Sequence, residues 1–160
     1  MDKALLKKQI LFYGPVGGAK GTIIGGGESG NKKTIALLKK LGFEVKIIEK
    51  PYPVKTLKIL KALLYPLQFL WAYIKAIKEL ILNKQINVFH LSGFYNHLIY
   101  IEWLFITTCK WFKIPAVYEI RAGGAIESYN EGSKFYRYFF KRTLPNSVKP
   151  FVLENHKFWK

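Results

Sequence analysis

The chain has 160 residues and a mass of 18.6 kDa, enough for one ordinary folded domain and too little for two substantial ones. Lys and Arg total 26 against 10 acids, a formal charge of +16, and the sole aspartate is Asp2, which excludes aspartyl dyads and metal clusters built on Asp. A single cysteine, Cys109, excludes an internal disulfide and a zinc site of several thiolates.

Half the residues are hydrophobic and 16% are aromatic, so a packed core is expected rather than disorder. The charge speaks to partners: nucleic acid, an anionic membrane surface and phosphorylated small molecules all suit it. The amino terminus offers only a short apolar run, unlike a secretory signal. No window reaches the roughly 18 uninterrupted apolar residues of a spanning helix. A reduced, cytoplasmic protein is expected.

Residues 9–13 (QILFY) predict a buried strand ended by Gly14 and Pro15. A glycine-rich loop is expected over 14–30, GPVGGAKGTIIGGGESG. Thr34, Leu37, Leu38 and Leu41 then share a helical face, and Gly42 is placed to stop the helix. Residues 43–48 alternate like a second strand. Pro51 and Pro53 precede a long helix over about 55–83, which Pro66 is expected to interrupt or kink. A third strand at 86–91 (INVFHL), an apolar helix at 95–112 and a fourth strand at 115–120 (PAVYEI) follow. A glycine loop (RAGG), a helix around 133–143 and a fifth strand in FVLEN complete the chain.

This alternation predicts an α/β domain, a Rossmann-like and mostly parallel sheet with helices on both faces. Ligands of such sheets sit outside the carboxyl ends of the strands. Those ends carry the 14–30 loop, His90 to Gly93, and Glu119 to Gly124.

Gly25, Gly27 and Gly30 have dinucleotide-fingerprint spacing, and Glu49 lies 19 residues past Gly30, near the usual acidic position. Against that, eleven residues separate Tyr13 from Gly25, where the fingerprint starts directly after the strand. A phosphate-binding P-loop fails because Asn31 intervenes before Lys32 and Glu28 puts a carboxylate among the phosphates. A glycine-rich turn with no ligand is a further reading. Gly25, Gly26 and Gly27 allow close backbone approach, the following helix N-terminus favours an anion, and Glu28 suits sugar hydroxyls.

The stretch GPVGGAKGTIIGGGESGNKKTIALLKKLGFEV resembles the opening of retaining GT-B glycosyltransferases, which use nucleotide-sugar donors. There a first strand leads to a loop ending Gly-Gly-x-Glu, then a helix, then Leu-x-x-x-Gly-x-x-Val. The segment NVFHLSG is similar to the family's Asp-Val-Val-His-x-His strand, with Asn87 for Asp and Ser92 for the second His. IPAVYEIRAGG is similar to the strand and loop beside the acceptor. The resemblance implies sugar transfer from a nucleotide-sugar to a glycan or lipid-linked acceptor in bacterial surface-polysaccharide synthesis, with no cofactor and no catalytic metal. The family's donor site lies mainly in a second domain with a basic pair and a Glu-x7-Glu motif. Glu119 and Glu127 have that interval, but their strand-end context, Tyr-Glu-Ile-Arg, belongs to the acceptor half, so an acceptor-side half is expected, truncated or one subunit of a split enzyme, and inactive until a donor-binding half is supplied.

The implied contacts are Gly25, Gly26, Gly27 and Glu28 for donor phosphates and acceptor, with His90 and Arg121 as further substrate-binding residues. Arg121 follows the fourth strand, where a guanidinium suits a bidentate phosphate contact or a surface ion pair. His90 at a strand end suits either a packed, hydrogen-bonded role or a site role. Glu127 and Glu131 read as solvated loop charges, and Cys109 as a buried thiol. Residues 55–84 hold six lysines and one acid among Leu, Ile and aromatic residues. That composition suits a helix packed on the sheet, or an interfacial helix on anionic lipid through Lys58, Lys61, Trp71, Lys75 and Lys78. Peripheral contact with the inner face of the plasma membrane is the matching expectation. A basic-aromatic cluster of Lys134, Arg137, Lys141 and Arg142 with Tyr136, Tyr138, Phe139 and Phe140 offers RNA as another partner, without a nucleic-acid motif to support it. A non-catalytic binding module and a dinucleotide-binding oxidoreductase domain are the alternatives.

Overall fold

The computed structural model describes residues 8–17, 25–52, 58–93, 98–120, 125–146 and 149–152, with side chains at all but 58–63, 126, 145–146 and 149–152. In chain order these form β1 (Gln9–Gly14), α1 (Gly26–Lys40), β2 (Glu44–Glu49), α2 (Lys58–Leu82), β3 (Ile86–Gly93), α3 (Ile99–Trp111), β4 (Ala116–Ile120), α4 (Ala125–Glu131), α5 (Lys134–Asn146) and β5 (Lys149–Val152). The strand order is β2-β1-β3-β4-β5, and the pairings β1–β2, β3–β4 and β4–β5 are parallel. This order is that of doubly wound α/β folds. The Rossmann-like class expected from the sequence is therefore the class observed, with helices flanking the strands. The chain divides into two compact units, residues 1–87 and 88–160.

In the first unit, every residue of β1 is buried, which is why its sequence is a continuous apolar run rather than an alternating one. Gln9 opens the strand and is buried too, so its polar atoms need partners. Its side chain donates to Glu44 Oε2 (2.8 Å) and accepts from Asn83 Nδ2 (2.6 Å), and its backbone N–H donates to Asn87 Oδ1 (3.2 Å).

Helix α1 begins inside the segment expected to be loop. Gly25 is its extended N-cap (φ −166°), and Gly26, Gly27 and Glu28 form its first turn. The amides of a first turn have no partners within the helix, so glycine there forfeits little, and Glu28 complements the dipole. Gly42 (φ 88°) closes the helix as expected: Phe43 N–H reaches Leu38 O and Gly42 N–H reaches Lys39 O. Helix α2 buries Phe69, Ala72, Ala76 and Leu80 along one face. It runs through Pro66 without the expected interruption. Pro66 is exposed, so the hydrogen bond it cannot donate is lost on a side open to water.

In the second unit, α3 and α5 pack through aromatic rings. Phe139 meets Trp103 at 4.8 Å and Tyr100 at 5.2 Å between centroids, both edge-on. Tyr136 and Phe140 are buried as well, whereas Phe135 and Tyr138 stand exposed. Helix α4 occupies part of what the sequence suggested as loop, with Glu127 and Glu131 exposed on it. Gly132 and Ser133 separate it from α5, and Ser133 Oγ caps α5 by accepting the Tyr136 N–H at 3.1 Å.

Helix α3 ends like α1 but without a glycine. Lys113 has φ 56°, Ile114 N–H bonds Cys109 O and Lys113 N–H bonds Lys110 O. A side chain at this left-handed position is strained. Lys113→Gly is therefore expected to stabilise the protein by about 0.5 kcal/mol, the relief of strain exceeding the entropy glycine adds to the unfolded chain. A urea midpoint that rises at constant slope checks this; an unchanged or lower midpoint counts against it.

Candidate functional site

Polar groups of the first unit converge where β1 leaves the core. Asn31, fully buried on α1, donates from Nδ2 to Pro15 O at 2.7 Å. Gly17 N–H donates to the Tyr52 hydroxyl at 2.8 Å, and that hydroxyl is also bonded to the Glu28 carboxylate. Burial raises the Tyr52 pKa above its ordinary value of 10.0; the Gly17 N–H opposes this, and the charges of Glu28 and Glu49 reinforce it. Glu28 itself is buried. Its carboxylate turns back toward the N-cap, with Oε2 3.3 Å from where a Cβ on Gly25 would stand. Pro15 and Gly17, directly after β1, are thus tied to α1 and to the segment after β2 respectively.

A pocket of about 500 Å³ opens in the same unit between the end of β2 and the outer part of α2. Glu49, Lys50, Tyr52, Gln68, Trp71 and Lys75 line it. The Lys75 ammonium lies over the Trp71 ring at 5.4 Å, and the buried Gln68 Oε1 has no hydrogen-bond partner among the described residues. An indole wall beside amide, carboxylate and ammonium groups is chemistry that accepts a small polar ligand with an apolar face.

The second unit holds the other cluster, at the carboxyl ends of β3 and β4. His90 Nε2 lies 2.9 Å from Glu119 Oε2, the two side chains being 13% and 10% exposed. With a proton on Nε2, His90 donates to that oxygen. The parallel register sets Ser92 beside Glu119 and His90 beside Val117, and alternation along each strand then puts His90, Ser92 and Glu119 on one face. The buried Ser92 hydroxyl has no hydrogen-bond partner among the described residues. Behind it, the Tyr118 hydroxyl donates to Glu102 Oε2 at 2.6 Å with both residues fully buried. Burial, then the Glu102 charge, push the Tyr118 pKa well above 10.0. An imidazole held by a carboxylate beside an unsatisfied hydroxyl can orient and exchange protons with a hydroxylated ligand.

Of the residues singled out in the sequence, Gly25, Gly26, Gly27 and Glu28 lie at the N-terminus of α1, and His90 lies on β3. Arg121 lies outside the described residues, as do the side chains of Lys58 and Lys61. Trp71, Lys75 and Lys78 are exposed on α2. Cys109 is buried, as expected, and burial pushes its thiol pKa up to about 12. Sequence reasoning missed Glu119 as the partner of His90, which only the strand register discloses, and missed Tyr52, for which spacing gives no signal. Among the described residues, no cluster of three or more His, Cys, Asp or Glu side chains is placed to hold a metal ion. No described helix is long and apolar enough to cross a membrane. No protein-family model matches the chain, and no curated protein matches it.

Proposed function

We propose that the chain is the acceptor-side half of a retaining glycosyltransferase, which moves a sugar from a nucleotide-sugar to a lipid-linked or surface-polysaccharide acceptor. The observation that supports this best is the His90–Glu119 pair with Ser92 beside it, at the carboxyl ends of parallel strands in the very segments that resemble the family. In this reading Glu119 fixes the orientation of the imidazole, and His90 and Ser92 hydrogen-bond hydroxyls of the sugar or acceptor. Holding a hydroxyl in register with the donor carbon is the protein's share of the catalysis. Arg121, directly after β4 in sequence, supplies charge for the donor phosphates.

The test is genetic and biochemical together. Membranes from cells lacking the gene should incorporate less label from one member of a panel of radiolabelled nucleotide-sugars, and the wild-type gene should restore it. His90→Ala should restore less than about a tenth of the wild-type rate, since positioned proton-exchanging groups commonly contribute about a hundredfold or more. Glu119→Gln, which keeps a hydrogen-bonding side chain but not the charge, should fall between the two. Full restoration by His90→Ala, with circular dichroism unchanged, would refute the site; no change in incorporation on deletion would refute the activity.

A further inference from the structure

Helix α2 has a second apolar face. Opposite the buried Phe69, Ala72, Ala76 and Leu80 stand Leu67, Leu70, Trp71, Ile74 and Ile81, all between 46% and 58% exposed. They follow the helical repeat, and from Leu67 to Ile81 the stripe runs about 21 Å. Exposed apolar residues scattered singly are ordinary; five aligned on one helix face mark a contact surface.

The charges on that face select the contact. Lys75 and Lys78 are exposed within the stripe, and Lys75 leans over the Trp71 ring. The one acid of α2, Glu79, is engaged by Lys46 of β2. A second copy of the chain would bring the same lysines against these, on a protein already at +16. An anionic lipid surface complements both parts. Leucine, isoleucine and an indole enter the boundary between headgroups and acyl chains, while lysines bury their stems and meet phosphates.

We propose that the outward face of α2 seats the protein on an anionic lipid bilayer, with Leu67, Leu70, Trp71, Ile74 and Ile81 inserted and Lys75 and Lys78 against lipid phosphates. Lysines 75 and 78 and Trp71 are among the contacts expected from the sequence; the aliphatic residues between them become visible only in the fold. This inference does not rest on sugar transfer, because vesicle binding is measured with neither donor nor acceptor present.

The full chain should float with vesicles of phosphatidylcholine containing phosphatidylglycerol, stay behind with phosphatidylcholine alone, and be released by salt. Lys75→Gln with Lys78→Gln should weaken partitioning about thirtyfold, about fivefold for each lysine. Leu70→Ser with Ile74→Ser should abolish it, whereas Trp111→Ser, a change at an exposed tryptophan elsewhere, should leave it intact. A measurement on the unaltered face guards against misfolded variants: brominated lipid should quench wild-type fluorescence strongly and that of Trp71→Phe weakly. Equal flotation with neutral vesicles, equal quenching in Trp71→Phe, or an oligomer dispersed by Leu70→Ser and Ile74→Ser in the absence of lipid would each overturn the proposal.

Discussion

Gly93→Ala is expected to lower the stability of the fold by about 4 kcal/mol, enough to unfold a marginal domain. Gly93 ends β3, and a Cβ there would collide with the Tyr118 ring and stand 2.8 Å from both the Tyr118 hydroxyl and Glu102 Oε2. None of these can move aside cheaply, because Tyr118 and Glu102 are fully buried and hydrogen-bonded to each other. The methyl group therefore costs its own overpacking, about 1–3 kcal/mol, and also disturbs a hydrogen bond to a carboxylate, about 1.5–3 kcal/mol. Pairing Gly93→Ala with Tyr118→Phe separates the two parts. The double variant should lose less than the sum of the single losses, because the bond that the alanine breaks is already gone. Urea denaturation measures all three, and a Gly93→Ala protein within about 0.5 kcal/mol of wild type would remove the steric argument.

Alkali should weaken the protein through its buried acids, and Cys109 gives the cleanest case. Burial holds its thiol protonated to about 12, whereas the ordinary value is 9.0. Above pH 9 the unfolded chain has released this proton and the folded chain has not, so rising pH favours unfolding. The stability concerned is present in full below pH 9 and is lost progressively up to about 12, to a total of about 4 kcal/mol. Tyr118 acts in the same direction from pH 10 upward. Loss of lysine charge at high pH acts oppositely by reducing repulsion in a chain of +16, so the informative quantity is the difference between proteins. Stability measured by urea from neutral to alkaline pH should fall more steeply for wild type than for Cys109→Ala. Parallel curves would show that the thiol is not the source. Thiol-reactive dye should likewise label Cys109 only as fast as the protein opens.

The course of the backbone was legible where a single physical signal acted alone. The apolar run of β1 meant burial on both faces, and Gly42 meant a helix end, because each depends only on local chemistry. Local signals misled where context decided. Three glycines read as loop, yet a first helical turn asks little of propensity, so α1 starts at Gly26. Lys113 carried no sign of a left-handed helix end, since the hydrogen bonds around it fix that conformation against its preference. Helix α4, only seven residues long, offered too short a pattern to distinguish from a connection. The candidate site was half legible. His90 at a strand end invited attention, but Glu119 is 29 residues away and meets it only through the register of β3 with β4. The outward stripe of α2 was hidden for the opposite reason. A helix apolar on nearly every side does not declare in its sequence which face the core will take.

The three parallel strand pairings carry a consequence for how the chain comes to be folded. None can be made by a hairpin, because a parallel partner is reached only after a crossover. The β1 partner of β2 is more than thirty positions away, at Gln9 for Glu44. Pairing must therefore wait until long loops have closed, a step whose entropic cost precedes any reward, whereas helical turns form in about a microsecond. Helices such as α2, with 25 residues, thus have time to flicker into being on a chain that still lacks its sheet. During synthesis β1 leaves the ribosome well before β2, at about 5–20 residues per second, and for that interval of seconds its apolar run lacks β2 as a neighbour. Slow, crossover-limited assembly leaves such a strand open to chaperones and to other nascent chains for longer than the helices around it.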